Sequence, residues 1–122
     1  MKRVLWVEDD GRIRKAAERL CKANGVEAEF VAYGVEAIFN LAFAFRYLAV
    51  VSDFDLGPGF SGADILAAAE RAGIPIRLLC SGGTHGADCP EATVIYDKMG
   101  MREMVEDVLA PLFKGDNKEG TK

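Results

Sequence analysis

The stretch Tyr47-Leu48-Ala49-Val50-Val51-Ser52-Asp53-Phe54-Asp55-Leu56-Gly57-Pro58-Gly59 decides how this chain is read. Residues 47–52 are rich in Val, Leu and Tyr, the right length for a strand and too short for a helix, and they stop at an acid and a Gly/Pro loop. An apolar run without polar alternation predicts a strand covered on both faces, as in a parallel sheet. Its C-terminal end delivers one carboxylate, Asp53, with a second, Asp55, two residues on.

Working outward, further strands are predicted over 4–7, 27–32, 74–80 and 93–96. Helices separate them. Over 12–22 Ile13, Ala17, Leu20 and Cys21 fall at helical spacing, and Asn24-Gly25 supplies the stop. Residues 35–45 carry Val35, Ile38, Leu41, Ala42 and Phe45 on one face, which predicts a well-buried helix. Ser61 and Asp64 form an S-x-x-D capping pattern for a helix continuing over 65–72 to Gly73. The last helix bears the stripe Met101, Met104, Val105, Val108, Leu109 and Leu112, with Pro111 near its end. Residues 81–90 hold three glycines and a proline and read as loop; 115–122 read as a polar tail behind a domain over 1–114.

Five strands alternating with helices on short connections predict a doubly wound α/β fold around a parallel sheet. In such folds ligands bind beyond the carboxyl ends of the strands. Glu8, Asp9, Asp53, Ser81 and Lys98 all lie at or just past such ends.

Composition narrows the chemistry. The 122 residues suit one domain, and half of them are apolar, enough to bury a core. Fifteen Lys plus Arg against 19 Asp plus Glu give a net charge of -4, without the basic footprint of a nucleic-acid binder. The most apolar stretch, 41–52, is interrupted by Arg46 and too short to span a bilayer, and no signal-peptide core follows Met1, so a soluble cytoplasmic protein is expected. Cys21, Cys80 and Cys89 are odd in number without CxxC spacing, and His85 is the single histidine, which argues against a disulfide framework and a structural zinc site. The chemistry, if any, must then come from carboxylates. The simpler readings are kept for Asp10 as a helix N-cap, His85 and Cys89 as loop residues, and Cys21, Cys80, Met101 and Met104 as core. Phe60, in the loop between Gly57 and Gly62, is expected to be exposed and able to touch a partner.

Three carboxylates converging at one sheet edge raise one another's pKa unless a cation neutralises them. Mg²⁺ suits Glu8, Asp9 and Asp53, since it prefers oxygen ligands and is often held by one or two carboxylates and a phosphate oxygen. Phosphoryl transfer needs such an arrangement, with Asp53 as nucleophile forming an acyl phosphate and the Lys98 ammonium completing the charge balance.

In four motifs the chain resembles a response-regulator receiver domain of the single-domain, CheY-like kind, over 2–113. They are Val4-Leu5-Trp6-Val7-Glu8-Asp9-Asp10; Tyr47-Leu48-Ala49-Val50-Val51-Ser52-Asp53 with Leu56 and Gly62-Ala63-Asp64-Ile65-Leu66; Pro75-Ile76-Arg77-Leu78-Leu79-Cys80-Ser81-Gly82; and Tyr96-Asp97-Lys98. The resemblance implies a flavodoxin-like five-stranded sheet of order 2-1-3-4-5. It implies that Asp53 accepts phosphate from a phosphohistidine on a sensor histidine kinase or histidine phosphotransfer protein, and that output runs through a downstream protein target. Glu8 and Asp9 would hold Mg²⁺ with Asp53 and the backbone carbonyl of Asp55; Ser81 and Lys98 would contact the phosphoryl group. The module would be no enzyme beyond its own phosphorylation and dephosphorylation, and a monomer or weak dimer.

The sequence departs from that pattern. Met99 stands where a proline usually follows the lysine, putting the usual cis peptide in doubt. Ile95 takes the usual aromatic position, Tyr96 falling one place late, and the fourth helix of the family should be shortened or absent. Counting from Pro75 puts Cys80 rather than Ser81 at the hydroxyl position, whereas the Ser81-Gly82 pair favours Ser81. These departures support a rival: a pseudo-receiver that docks partners without being phosphorylated. Glu8 with Asp53-Phe54-Asp55 also resembles a Toprim-type Mg²⁺-dependent nucleic-acid enzyme, although Asp9 replaces the glycine usual there.

Overall fold

A computed structural model describes residues 2–81 and 89–114. The predicted strands form: β1 (Arg3–Val7), β2 (Ala28–Val31), β3 (Tyr47–Ser52), β4 (Ile76–Ser81) and β5 (Val94–Asp97). They pair in parallel in the order β2-β1-β3-β4-β5, the order expected. Strand alternation divides the core in two. Val4, Trp6, Ala49, Val51, Leu78 and Cys80 face one layer, and Leu5, Val7, Val50 and Leu79 the other. The three central strands are buried on both faces, which is why they read as continuous apolar runs.

Helix α1 (Gly11–Ala23) lies on the first layer. Asp10 caps it as expected: its Oδ1 accepts from the Arg12 and Ile13 amides at 2.9 and 3.4 Å. Helix α3 (Gly62–Arg71) lies on the second, opened by a capping box in which Ser61 Oγ accepts from the Asp64 amide and Asp64 Oδ2 from the Ser61 amide. The last helix, α4 (101–114), follows a 3₁₀ turn over Lys98–Gly100 and buries Met104, Val105, Leu109 and Phe113. Its middle is a π turn, Val105–Leu109, with the Ala110 amide donating to the Val105 carbonyl. Pro111 therefore lies inside the helix; its nitrogen cannot donate, and the widened turn just before it accommodates the gap.

The second helix corrects the sequence reading. Instead of one buried helix over 35–45 there is a short α2 (Gly34–Asn40) followed by a 3₁₀ segment, Leu41–Arg46, kinked at Phe43. Ala37 and Leu41 are buried, but Val35 is 64% exposed and Phe39 and Phe45 are each 70% exposed. The kink turns the apolar stripe off the core. Strand ends shift by one or two residues, as β4 does from 74–80 to Ile76–Ser81.

Cys21 and Cys80 are buried in the first layer, and Cys89, in a loop, is buried in the second. His85 and the tail over 115–122 lie outside the described residues, as do 82–88, so the expectation of a shortened or absent fourth helix falls largely outside them; none of 89–93 is helical. No helix among the described residues is long and apolar enough to cross a membrane.

Candidate phosphoryl-transfer site

The site is assembled by backbone pairing at the carboxyl edge of the sheet. The Asp53 amide donates to the Val7 carbonyl at 3.0 Å and the Glu8 amide to the Val31 carbonyl at 3.0 Å, so both acids leave their strands side by side. Behind Asp53, α3 begins so close that a Cβ on Gly62 would overlap the Asp53 carbonyl oxygen, and the Gly62 amide donates to the Phe54 carbonyl at 2.8 Å. Only glycine permits that approach. Ser52 Oγ donates to the Asp53 carbonyl at 2.8 Å, fixing the turn further.

Glu8, Asp9 and Asp53 each place a carboxylate oxygen within 4.8 Å of the others. Glu8 and Asp53 are buried and Asp9 is exposed. Lys98 enters from the end of β5 and bridges the buried pair, its Nζ lying 3.1 Å from Glu8 Oε1 and 3.3 Å from Asp53 Oδ2. Glu8 Oε2 also accepts from the Asp10 amide at 3.1 Å. Burial raises the Glu8 carboxyl above its ordinary pKa despite the Asp10 amide and Lys98, and burial likewise raises Asp53 against the pull of Lys98. Burial alone would lower the Lys98 ammonium; hydrogen bonds and charge from Glu8 and Asp53 outweigh it and raise it.

Three carboxylates and one ammonium leave two negative charges uncompensated. A divalent cation with a preference for oxygen ligands fits that donor set. Asp55 stands two residues beyond Asp53 in the loop after β3, its side chain exposed.

At the end of β4 the register matters. Ser52 pairs with Leu79, so Cys80 is the next residue beside Asp53, and it shares the first core layer with Val51. Its Sγ lies 3.8 Å from the carbonyl of Asp97, the residue before Lys98. Burial, the largest influence, pushes the thiol up to about 12, so it stays protonated. Ser81, also buried, is one residue further and alternates to the other face of the strand. Tyr96 pairs with Cys80 and packs on the first layer, while Ile95 is 46% exposed. Met99 is 93% exposed, and there are no cis peptides among the described residues.

The roles of two supporting residues escaped the sequence reading. Arg14 reaches back from α1, its Nη1 donating to the Glu8 carbonyl at 2.9 Å and the Asp9 carbonyl at 3.3 Å. It thereby holds the loop that carries both acids. A basic residue one helical turn past the acidic run was its only signal. The role of Gly62 lay in a contact across the fold, invisible in local sequence.

No protein-family model matches the chain, and no curated protein matches it. Solved structures do. A response regulator receiver domain protein from Clostridium thermocellum superposes with a TM-score of 0.76 at 17% identity, over 97% of this chain and 98% of that one. The Francisella response regulator 1452 receiver domain does so with 0.76 at 19% identity, over 95% and 99%. The Mn²⁺-bound form of the response regulator Rcp1 matches with 0.73 at 14% identity, over 89% and 95%. The chain thus has the CheY-like receiver fold along nearly its whole length.

Proposed function

We propose that this chain is a response-regulator receiver module whose Asp53 accepts a phosphoryl group from a phosphohistidine donor in a Mg²⁺-dependent reaction. The observation that carries this reading is Lys98 bridging Glu8 and Asp53 beside Asp9, at the sheet edge of a receiver fold. An Asp53 carboxylate oxygen would attack phosphorus, forming the P–O bond as the P–N bond to the donor imidazole breaks; the released nitrogen takes a proton from solvent. Mg²⁺, held by Glu8, Asp9, Asp53 and the Asp55 carbonyl, would supply positive charge for the phosphoryl oxygens.

Lys98 then has two tasks. It would stabilise ionised Asp53 before transfer, which their 3.3 Å contact supports, and pair with a phosphoryl oxygen after it. The end of β4 contributes a donor, for which we propose the Ser81 hydroxyl, with the Cys80 thiol as the competitor favoured by register. Beyond its own phosphorylation and dephosphorylation no catalytic activity is proposed; output would pass to a downstream protein in the cytoplasm.

Beryllofluoride, a phosphoryl mimic, tests this. Fluorine-19 NMR should show protein-bound resonances that require Mg²⁺ and Glu8 and vanish in Asp53→Asn; their absence from the unaltered protein would count against the reading. The pseudo-receiver is the second reading, supported by Cys80 at the position beside Asp53, and the same spectrum without bound fluorine would favour it.

A further inference from the structure

The apolar stripe that the core does not use is a surface feature of its own. Phe39 and Phe43 stack edge to face at 6.3 Å between ring centroids, and Phe43 and Phe45 at 6.4 Å. The stripe continues past Gly34, which abuts Phe60 so closely that a Cβ there would sit 2.9 Å from the Phe60 Cβ. Tyr33 and Val35 flank that glycine, 62% and 64% exposed. The platform beneath is fixed, because Asn40 Nδ2 and the Tyr47 hydroxyl both donate to Glu29, each at 3.0 Å. Six exposed large apolar side chains, four of them Phe, thus form one band from the loop after Asp53 to the start of β3.

At 150–250 Å² per aromatic side chain, this band exposes on the order of 600 Å² of apolar surface, at the upper limit for a soluble monomer. Pairing it with an identical band would bury about 800 Å² per partner once the rim is included, the size of a stable interface. Charge also suits self-pairing. Glu36 lies near the start of the band and Arg46 at its end, both exposed, with the guanidinium 4.9 Å above the Phe43 ring. A twofold axis across the band would run the two stripes antiparallel and bring Glu36 of each copy toward Arg46 of the other.

We propose that the α2 and 3₁₀ face, centred on Phe39, Phe43 and Phe45, binds a second copy of this chain in an antiparallel, twofold dimer. The opposed Glu36 and Arg46 set the orientation.

Sedimentation equilibrium of the full chain over a wide concentration range reads this directly. The unaltered protein should dimerise at micromolar concentration, and Phe39→Asp and Phe45→Asp should each weaken dimerisation by about 100-fold or more. Both side chains are mostly exposed, so circular dichroism should show unchanged folding. Glu36→Arg should weaken the dimer several-fold, and Arg46→Glu added to it should restore it. A protein that stays monomeric to millimolar concentration, or a dimer indifferent to both Phe variants, overturns the proposal. Failure of the charge swap to restore association overturns the antiparallel arrangement.

Discussion

Replacing Lys98 by Met keeps most of the apolar stem and removes the cation between Glu8 and Asp53. At separations of 3.1 and 3.3 Å and an effective dielectric of about 20, each attraction is worth roughly 5 kcal/mol before desolvation. Desolvation offsets most of that, and removing one partner of a buried pair typically costs about 3–5 kcal/mol. The Lys98 side chain is 25% exposed, which places the expected loss near the lower end, about 3 kcal/mol. The pH dependence follows from the carboxylates. Both have folded pKa values raised above 4.5 and 3.8, so their protonated forms favour the folded state at low pH, and that advantage is lost as pH rises through the raised values. Without Lys98 both rise further. The Lys98→Met penalty should therefore be larger at about pH 8 than at about pH 4, growing as pH rises through the raised carboxyl values and both acids become charged. Lys98 itself, raised above 10.5, is fully charged throughout that window. Urea unfolding in a chelator, followed by the fluorescence of buried Trp6, measures the difference. A loss below about 1 kcal/mol at pH 8, or a loss that does not shrink on acidification, would refute the reasoning.

Other perturbations follow from the same geometry. Arg14→Ala, which frees the Glu8 and Asp9 carbonyls, should weaken Mg²⁺ binding by about tenfold in calorimetric titration, with Arg14→Lys recovering part of it. Gly62→Ala must push a methyl against the Asp53 carbonyl and should lower stability by about 2 kcal/mol or more, read from thermal unfolding. Ser61→Ala breaks the capping box of α3 and should cost about 1 kcal/mol in the same assay. Between Cys80→Ala and Ser81→Ala, the variant whose acyl phosphate forms several-fold more slowly, measured by mass spectrometry over time, identifies the donor at the end of β4.

Most of the sheet was legible because its central strands are covered on both sides, leaving unbroken apolar runs at 4–7 and 47–52 that no other element explains. Their order came from the motif resemblance and stands in the structure. The acids at strand ends were legible for the same reason: a buried strand that ends in Glu8 or Asp53 has a sheet edge to deliver them to. Helix 35–45 misled because a stripe of Val, Ile, Leu and Phe normally means burial, and nothing local marks the kink at Phe43 that turns Phe39 and Phe45 outward. Tertiary context set that segment, as it set the close approach at Gly62 and the reach of Arg14. The choice between Cys80 and Ser81 turned on one residue of register, which strand alternation converts into opposite faces of β4.

The most direct test of the central claim is the intact mass of the protein after incubation with Mg²⁺ and a small-molecule acyl phosphate, alongside Asp53→Asn. A gain of one phosphoryl group that requires both Mg²⁺ and Asp53 is the predicted result; an unchanged mass, or an adduct that persists in Asp53→Asn, would contradict it.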